Sequence, residues 1–186
     1  MAAPGAPRAF GQRVQRALQG VGADQGQQHG WQHGQHRGPL AGRQAAQHPE
    51  GEGAAIAMQR ALASADIAPH QIGYVNLHGT ATPQNDAMEI KAIRQVFQEH
   101  AVALSSTKHK TGHCLGAAGA IEALICIQVL KDQTWLPMHQ HTDIDPELAD
   151  QNYVSDAQLS KPIQYAMSNS FAFGGSNISL LFGVEQ

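Results

Sequence analysis

The stretch SSTKHKTGHCLGAAGAIE, Ser105–Glu122, decides how this chain is read. It sets two lysines, two histidines and a cysteine in a turn rich in glycine and threonine, just ahead of an apolar run, GAAGAIEALICIQVLKDQ. Small residues at the start of that run predict a helix suited to burial with close backbone contacts. The open N–H groups at such a helix start can meet a substrate. The adjacency of His113 and Cys114 raises the question of a nucleophile beside its base.

Outward from this stretch, strand and helix patterns alternate. GEGAAIAMQRALASADI has apolar residues at helical spacing, with Pro69 after its end. IGYVNL reads as a short buried strand closed by HGT, and AVALSS as another short strand. NDAMEIKAIRQVFQEH predicts an amphipathic helix with Met88, Ile93, Val96 and Phe97 on or near one face. WLPMHQHTDIDPEL reads as a loop, and PIQYAMSNSF and NISLLFGV as core strands joined by the glycine turn AFGGS. This alternation predicts a layered α/β fold.

Before residue 48 the composition is different. Residues 1–47 are packed with Gly, Gln, Ala and His, and Asp24 is their one acid. GQQHGWQHGQHRG has no helical or strand period and too little apolar surface to offset its ordering entropy. The expected organisation is a disordered or out-of-frame segment over 1–47 and a globular domain over 48–186. His29, His33 and His36 are spaced H-x3-H-x2-H, but without nearby acids or cysteines no evolved metal site is expected.

Bulk properties exclude several roles. A length of 186 residues suits one domain or half of a larger one. A net charge of −3 gives no electrostatic case for nucleic acid or an anionic membrane. Two cysteines are too few for a disulfide framework, so a reducing, cytoplasmic setting is expected. No apolar run approaches the roughly 20 residues of a membrane span.

Chemistry-bearing residues gather in NLHGTATPQND, in the opening stretch and in NSFAFGGSN. His78 and His113 sit in Gly/Thr-rich turns with Lys108 nearby. Spacing alone leaves acyl and phosphoryl transfer both open.

Together these segments resemble the C-terminal half of a β-ketoacyl-acyl-carrier-protein synthase, a condensing enzyme of the thiolase-like fold. HGTATPQND is similar to the family's HGT-x-T-x-x-x-D motif, TKHKTGHCLGAAGAIE to TK-x-x-x-GH-x-x-GAAG-x-x-E, and NSFAFGGSN to NSFGFGG-x-N. PEGEGAAIAMQRAL fits the helix that precedes the first histidine. The resemblance covers about residues 48–186. NSFAFGG with TATPQND is also similar to the subgroup that builds aryl-polyene chains.

The resemblance implies roles. His78 and His113 match the histidine pair that bonds the malonyl thioester carbonyl, and Lys108 the active-site lysine with Glu122 as its ion-pair partner. Thr80 and Thr82 match hydroxyls that bind the phosphopantetheine arm of acyl carrier protein. Phe173 matches a gating phenylalanine on a loop freed by Gly174 and Gly175, and Phe171 lines the same cavity. Ala172 departs from the family's glycine, which restricts that turn. No metal or cofactor is implied beyond the phosphopantetheine that carries the substrate.

The family's nucleophilic cysteine lies well upstream of the first catalytic histidine, at a helix start that lowers its pKa. Here 77 residues precede His78 and none is cysteine. Cys126, in LICIQVL, is expected to be a small core residue. Cys114 matches a position without a catalytic role. The reading is therefore an incomplete C-terminal half, from a truncated, frameshifted or split gene, inactive and poorly stable alone. Its unmatched sheet-and-helix surface should be apolar and should take the missing N-terminal half or a partner subunit, in a homo- or heterodimer. The alternative is a non-catalytic partner like the chain-length factors, against which the retained His78, Lys108 and His113 argue.

Overall fold

The computed structural model describes residues 20–25 (backbone course alone), 49–138, 144–155, 162–172 and 175–184. The tract of His29, His33 and His36 lies outside the described residues, as do Phe173 and Gly174.

Five strands form one sheet: β1 (Gly20–Gln25), β2 (Ile72–Asn76), β3 (Ala103–Ser105), β4 (Tyr165–Ala172) and β5 (Ser176–Gly183), in the order β1-β5-β4-β2-β3. β2 runs parallel to β3 and β4, whereas β5 is antiparallel to β4 and to β1. The helices are α1 (Glu52–Ala65), α2 (Pro83–Phe97), the single turn α3 (Lys108–Thr111) and α4 (Ala118–Asp132).

Strand alternation splits the apolar residues between two cores. Val75, Met167 and Leu181 join α1 and α2 on one face. Their neighbours Tyr74, Ala166 and Phe182 join Cys126, Val129 and Leu130 of α4 on the other. The sheet is thus covered on both faces, the expected layered α/β architecture.

Two local features differ from the expectation. Within 1–47, read as a disordered or out-of-frame segment, Gly20–Gln25 pairs along its whole length with β5. A free β5 edge supplies hydrogen-bond partners that no periodicity in 1–47 could announce. The apolar run after His113 also begins later than expected, with a 3₁₀ turn at Leu115–Ala117 ahead of α4.

α4 is apolar nearly all round, but its outer side is not covered. Leu124 is 66% exposed, and Leu115, just before the helix, is 77% exposed. These two leucines put apolar side chains in solvent on the helix layer, whereas both faces of the sheet are covered.

Candidate active site

β2 delivers His78. Its chain leaves the sheet at Asn76 and turns through Gly79 (φ 40°) and Ala81 (φ 58°), both left-handed. A Cβ at Gly79 would lie 2.6 Å from the Cβ of Ser106, so glycine is needed for space as well as conformation. Ser106 Oγ donates to the Gly79 carbonyl at 3.0 Å, fastening this turn to the end of β3. Thr82 then stands at the N-cap position of α2 without a side-chain capping bond, with Pro83 in the first helical position.

His78 is 7% exposed. Burial, with the nearby charge of Lys108 and then His113, pushes its pKa down to about 3. The ring is therefore neutral in the physiological range, and its Nδ1 is buried without a partner. Phe171 packs at its edge, with ring centroids 5.8 Å apart.

His113 arrives from the opposite side, after α3 and Gly112 (φ 69°). Its ring centroid lies 5.5 Å from that of His78, with the planes at 85°. Leu115 N–H donates to His113 Nδ1 at 3.3 Å, which assigns the proton of the neutral ring to Nε2. His113 itself is exposed.

Lys108 opens α3 and is buried, with Nζ bonded to Glu122 of α4. Burial raises the Glu122 carboxyl while the ammonium of Lys108 pulls it down. The pair ties the His113 turn to the first turns of α4. Beneath it lies a polar layer in which Ser105, Asn76 and Ser168 are register neighbours on β3, β2 and β4. Asn76 Oδ1 and Glu122 Oε2 are buried there without a partner.

Thr80 and Thr82 share a hydrogen bond of 2.9 Å between their hydroxyls, at the rim of the His78 turn. Gly175 is left-handed (φ 80°) at the end of the β4–β5 return, just before β5. Ala172 closes β4 opposite Ser176 in extended backbone, so its methyl meets no left-handed penalty. Of the cysteines, Cys114 is exposed with Sγ directed to the Thr111 carbonyl. Cys126 is buried, bonds the Met167 carbonyl, and burial raises its thiol pKa further.

The structure thus gathers His78, His113, Lys108, Glu122 and Phe171 at the C-terminal ends of β2 and β4, with Thr80 and Thr82 at the rim. It also adds a residue that sequence reading missed. Glu89, on α2, accepts the backbone N–H groups of His78 and Gly79. Its signal was a carboxylate inside the apolar face MEI, where a hydrophobic residue belongs. A cavity of about 450 Å³ opens at the other end of the sheet beside His70, His100 and Trp135, well away from this chemistry.

Comparison with known proteins fits this arrangement. Residues 39–142 match the model of the β-ketoacyl synthase C-terminal domain. The chain belongs to the β-ketoacyl synthase family. It is 46% identical over 138 residues to the mitochondrial 3-oxoacyl-[acyl-carrier-protein] synthase of Arabidopsis thaliana, covering 72% of this chain and 30% of that one. It is 43% identical over 135 residues to 3-oxoacyl-[acyl-carrier-protein] synthase 2 of Coxiella burnetii, covering 72% and 32%. Among solved structures, a ketosynthase in complex with its chain length factor from Xenorhabdus doucetiae matches with TM-score 0.75 and 41% identity, over 90% of this chain and 39% of that one. A β-ketoacyl synthase from Burkholderia phymatum matches with TM-score 0.74 and 34% identity, over 91% and 37%. These neighbours place the sheet and helices in the thiolase-like ketosynthase fold. The chain spans about a third of the length of the relatives it matches.

Proposed function

We propose that the chain provides the decarboxylation half of a β-ketoacyl-acyl-carrier-protein synthase site, for fatty acid, polyketide or aryl-polyene synthesis. The observation that carries this reading is the pair of facing imidazoles, His78 and His113, with neutral His78 and the Nε2 proton of His113 available as a donor. Two N–H donors aimed at a malonyl thioester oxygen stabilise the enolate formed as the bond to the carboxylate breaks and CO₂ leaves. That carbanion equivalent attacks an acyl group held on cysteine, forming the new C–C bond and releasing the thiolate.

The cysteine is supplied by the remaining two thirds of a synthase, covalently continuous with these residues or on another chain. Cys114 does not serve, because its exposed thiol lies in the turn before α4 with Sγ directed back to the Thr111 carbonyl. Substrates arrive on the phosphopantetheine of acyl carrier protein, held at Thr80 and Thr82, and no further cofactor is needed. The exposed apolar side of α4 takes the complementary half in a homo- or heterodimeric assembly. A non-catalytic, chain-length-factor-like role has no use for a buried Lys108–Glu122 pair beside two facing histidines.

The test is CO₂ release from malonyl-carrier protein by this chain assembled with a cysteine-bearing N-terminal synthase portion. Release is expected, and His78→Ala or His113→Ala should each lower it by about 10²-fold or more. An assembled complex that releases no CO₂, or that releases it equally without either histidine, overturns the reading.

A further inference from the structure

We propose that Glu89 is a positioning residue for His78, its carboxylate clamping the backbone of the histidine turn and coupling that turn to β4 and β5. The role rests on His78 being a reacting-site donor; the clamp itself stands on geometry alone.

Glu89 is 1% exposed and enters none of the ion pairs among the described residues. A buried carboxylate without a counter-charge is costly, so this α2 face would be more stable with an apolar residue there. Its oxygens are instead fully engaged. Oε1 accepts the His78 N–H at 2.9 Å and Oε2 accepts the Gly79 N–H at 2.9 Å. Asn169 Nδ2 on β4 donates to Oε1 at 3.2 Å, and Ser179 Oγ on β5 donates to Asn169 Oδ1 at 2.8 Å. The serine also fixes which way the Asn169 amide points. A continuous chain of hydrogen bonds therefore runs from β5 through β4 and α2 to the turn that carries His78.

The chemistry of the clamp is specific to a carboxylate. Two successive backbone N–H groups need two acceptors, whereas a glutamine in the same place offers one acceptor and one donor. The surrounding titratable groups are Asp86 on the same helix, Tyr153 from the segment beside β3, and His78 on the turn. β4 and β5 contribute neutral Asn169 and Ser179, and α1 the thioether of Met58. Burial outweighs the hydrogen bonds and pushes the Glu89 carboxyl up to about 7. Above that pH both oxygens accept; below it one carries a proton and the grip on the two amides weakens.

The clamp is tested on the full chain, ¹⁵N-labelled, by following the His78 and Gly79 amide signals from pH 5 to 9. Both are expected to titrate together with a midpoint near 7. In Glu89→Gln the titration should vanish and at least one of the two amides should exchange roughly tenfold faster. Ser179→Ala, at the far end of the chain of bonds, should move the midpoint upward. Amides that stay flat across this range in the wild type, or that still titrate in Glu89→Gln, overturn the proposal. The wild-type and Ser179→Ala titrations decide it even if Glu89→Gln does not fold. Loss of the CO₂-release reading would leave these signals unmoved, so the two failures are distinguishable.

Discussion

The two histidine turns look equivalent in sequence, each a histidine in a Gly/Thr-rich segment, but the fold treats them oppositely. His78 leaves a central strand, is buried, and has its backbone N–H held by Glu89, while Ser106 holds the next residue, Gly79. His113 leaves a single helical turn, is exposed, and is followed by Leu115 in left-handed backbone with its side chain in solvent. A strand end inherits order from a sheet already paired on both sides. A turn before a helix with an uncovered apolar side has no such frame. The difference teaches that a strand end orders a histidine turn more fully than a single helical turn does.

The largest test of that contrast acts on the buried Lys108–Glu122 ion pair of the exposed side. Lys108→Met strands the Glu122 carboxylate without its counter-charge and should destabilise the chain by about 3–5 kcal/mol in denaturant unfolding. A cost under about 1 kcal/mol would mean that the His113 turn is not held by this chain at all.

A smaller effect probes the finished side through pH. The folded pKa of His78, about 3, lies below its unfolded value of 6.5, so its contribution is present above pH 6.5 and is lost as pH falls towards 3. Glu89 acts in the opposite sense: its pKa rises from 4.5 to about 7, so its contribution is full below pH 4.5 and is lost as pH rises through 7. The two offset one another between pH 4.5 and 6.5. Below pH 4.5 the His78 loss is uncovered, with a slope approaching about 1.4 kcal/mol per pH unit. His78→Gln should flatten that acid limb relative to wild type. An unchanged limb would show that His78 is not buried as described.

The smallest expected effect on stability is at the uncovered surface. Leu124→Ser should change unfolding free energy by no more than about 0.5 kcal/mol, because the side chain is already in solvent. It should nevertheless reduce self-association of the isolated chain in sedimentation experiments. Self-association that is unaffected would move the cover to another face.

Most of the fold was legible because the apolar patterns of β2, α2, β4 and β5 are strong and local. Element ends were less so: α2 begins at Pro83, ahead of the expected Asn85, because proline at the first helical position needs no N–H partner. β1 was not legible, since its order comes from the edge of β5, a partner far away in sequence. His78, His113, Lys108 and Glu122 could be named from their motifs, whereas Glu89 could not, since its partners are backbone amides of another element.

What the sequence determined by itself was the set of elements, the layered α/β class and the identity of the facing groups. Those follow from local periodicity and from residue types that few other chemistries require. What tertiary structure alone decided was the state of each group: His78 neutral, His113 with its proton on Nε2, Glu89 poised near neutrality, one turn closed and the other open. Those states depend on desolvation and on hydrogen bonds between elements distant in the chain, and no linear pattern records them.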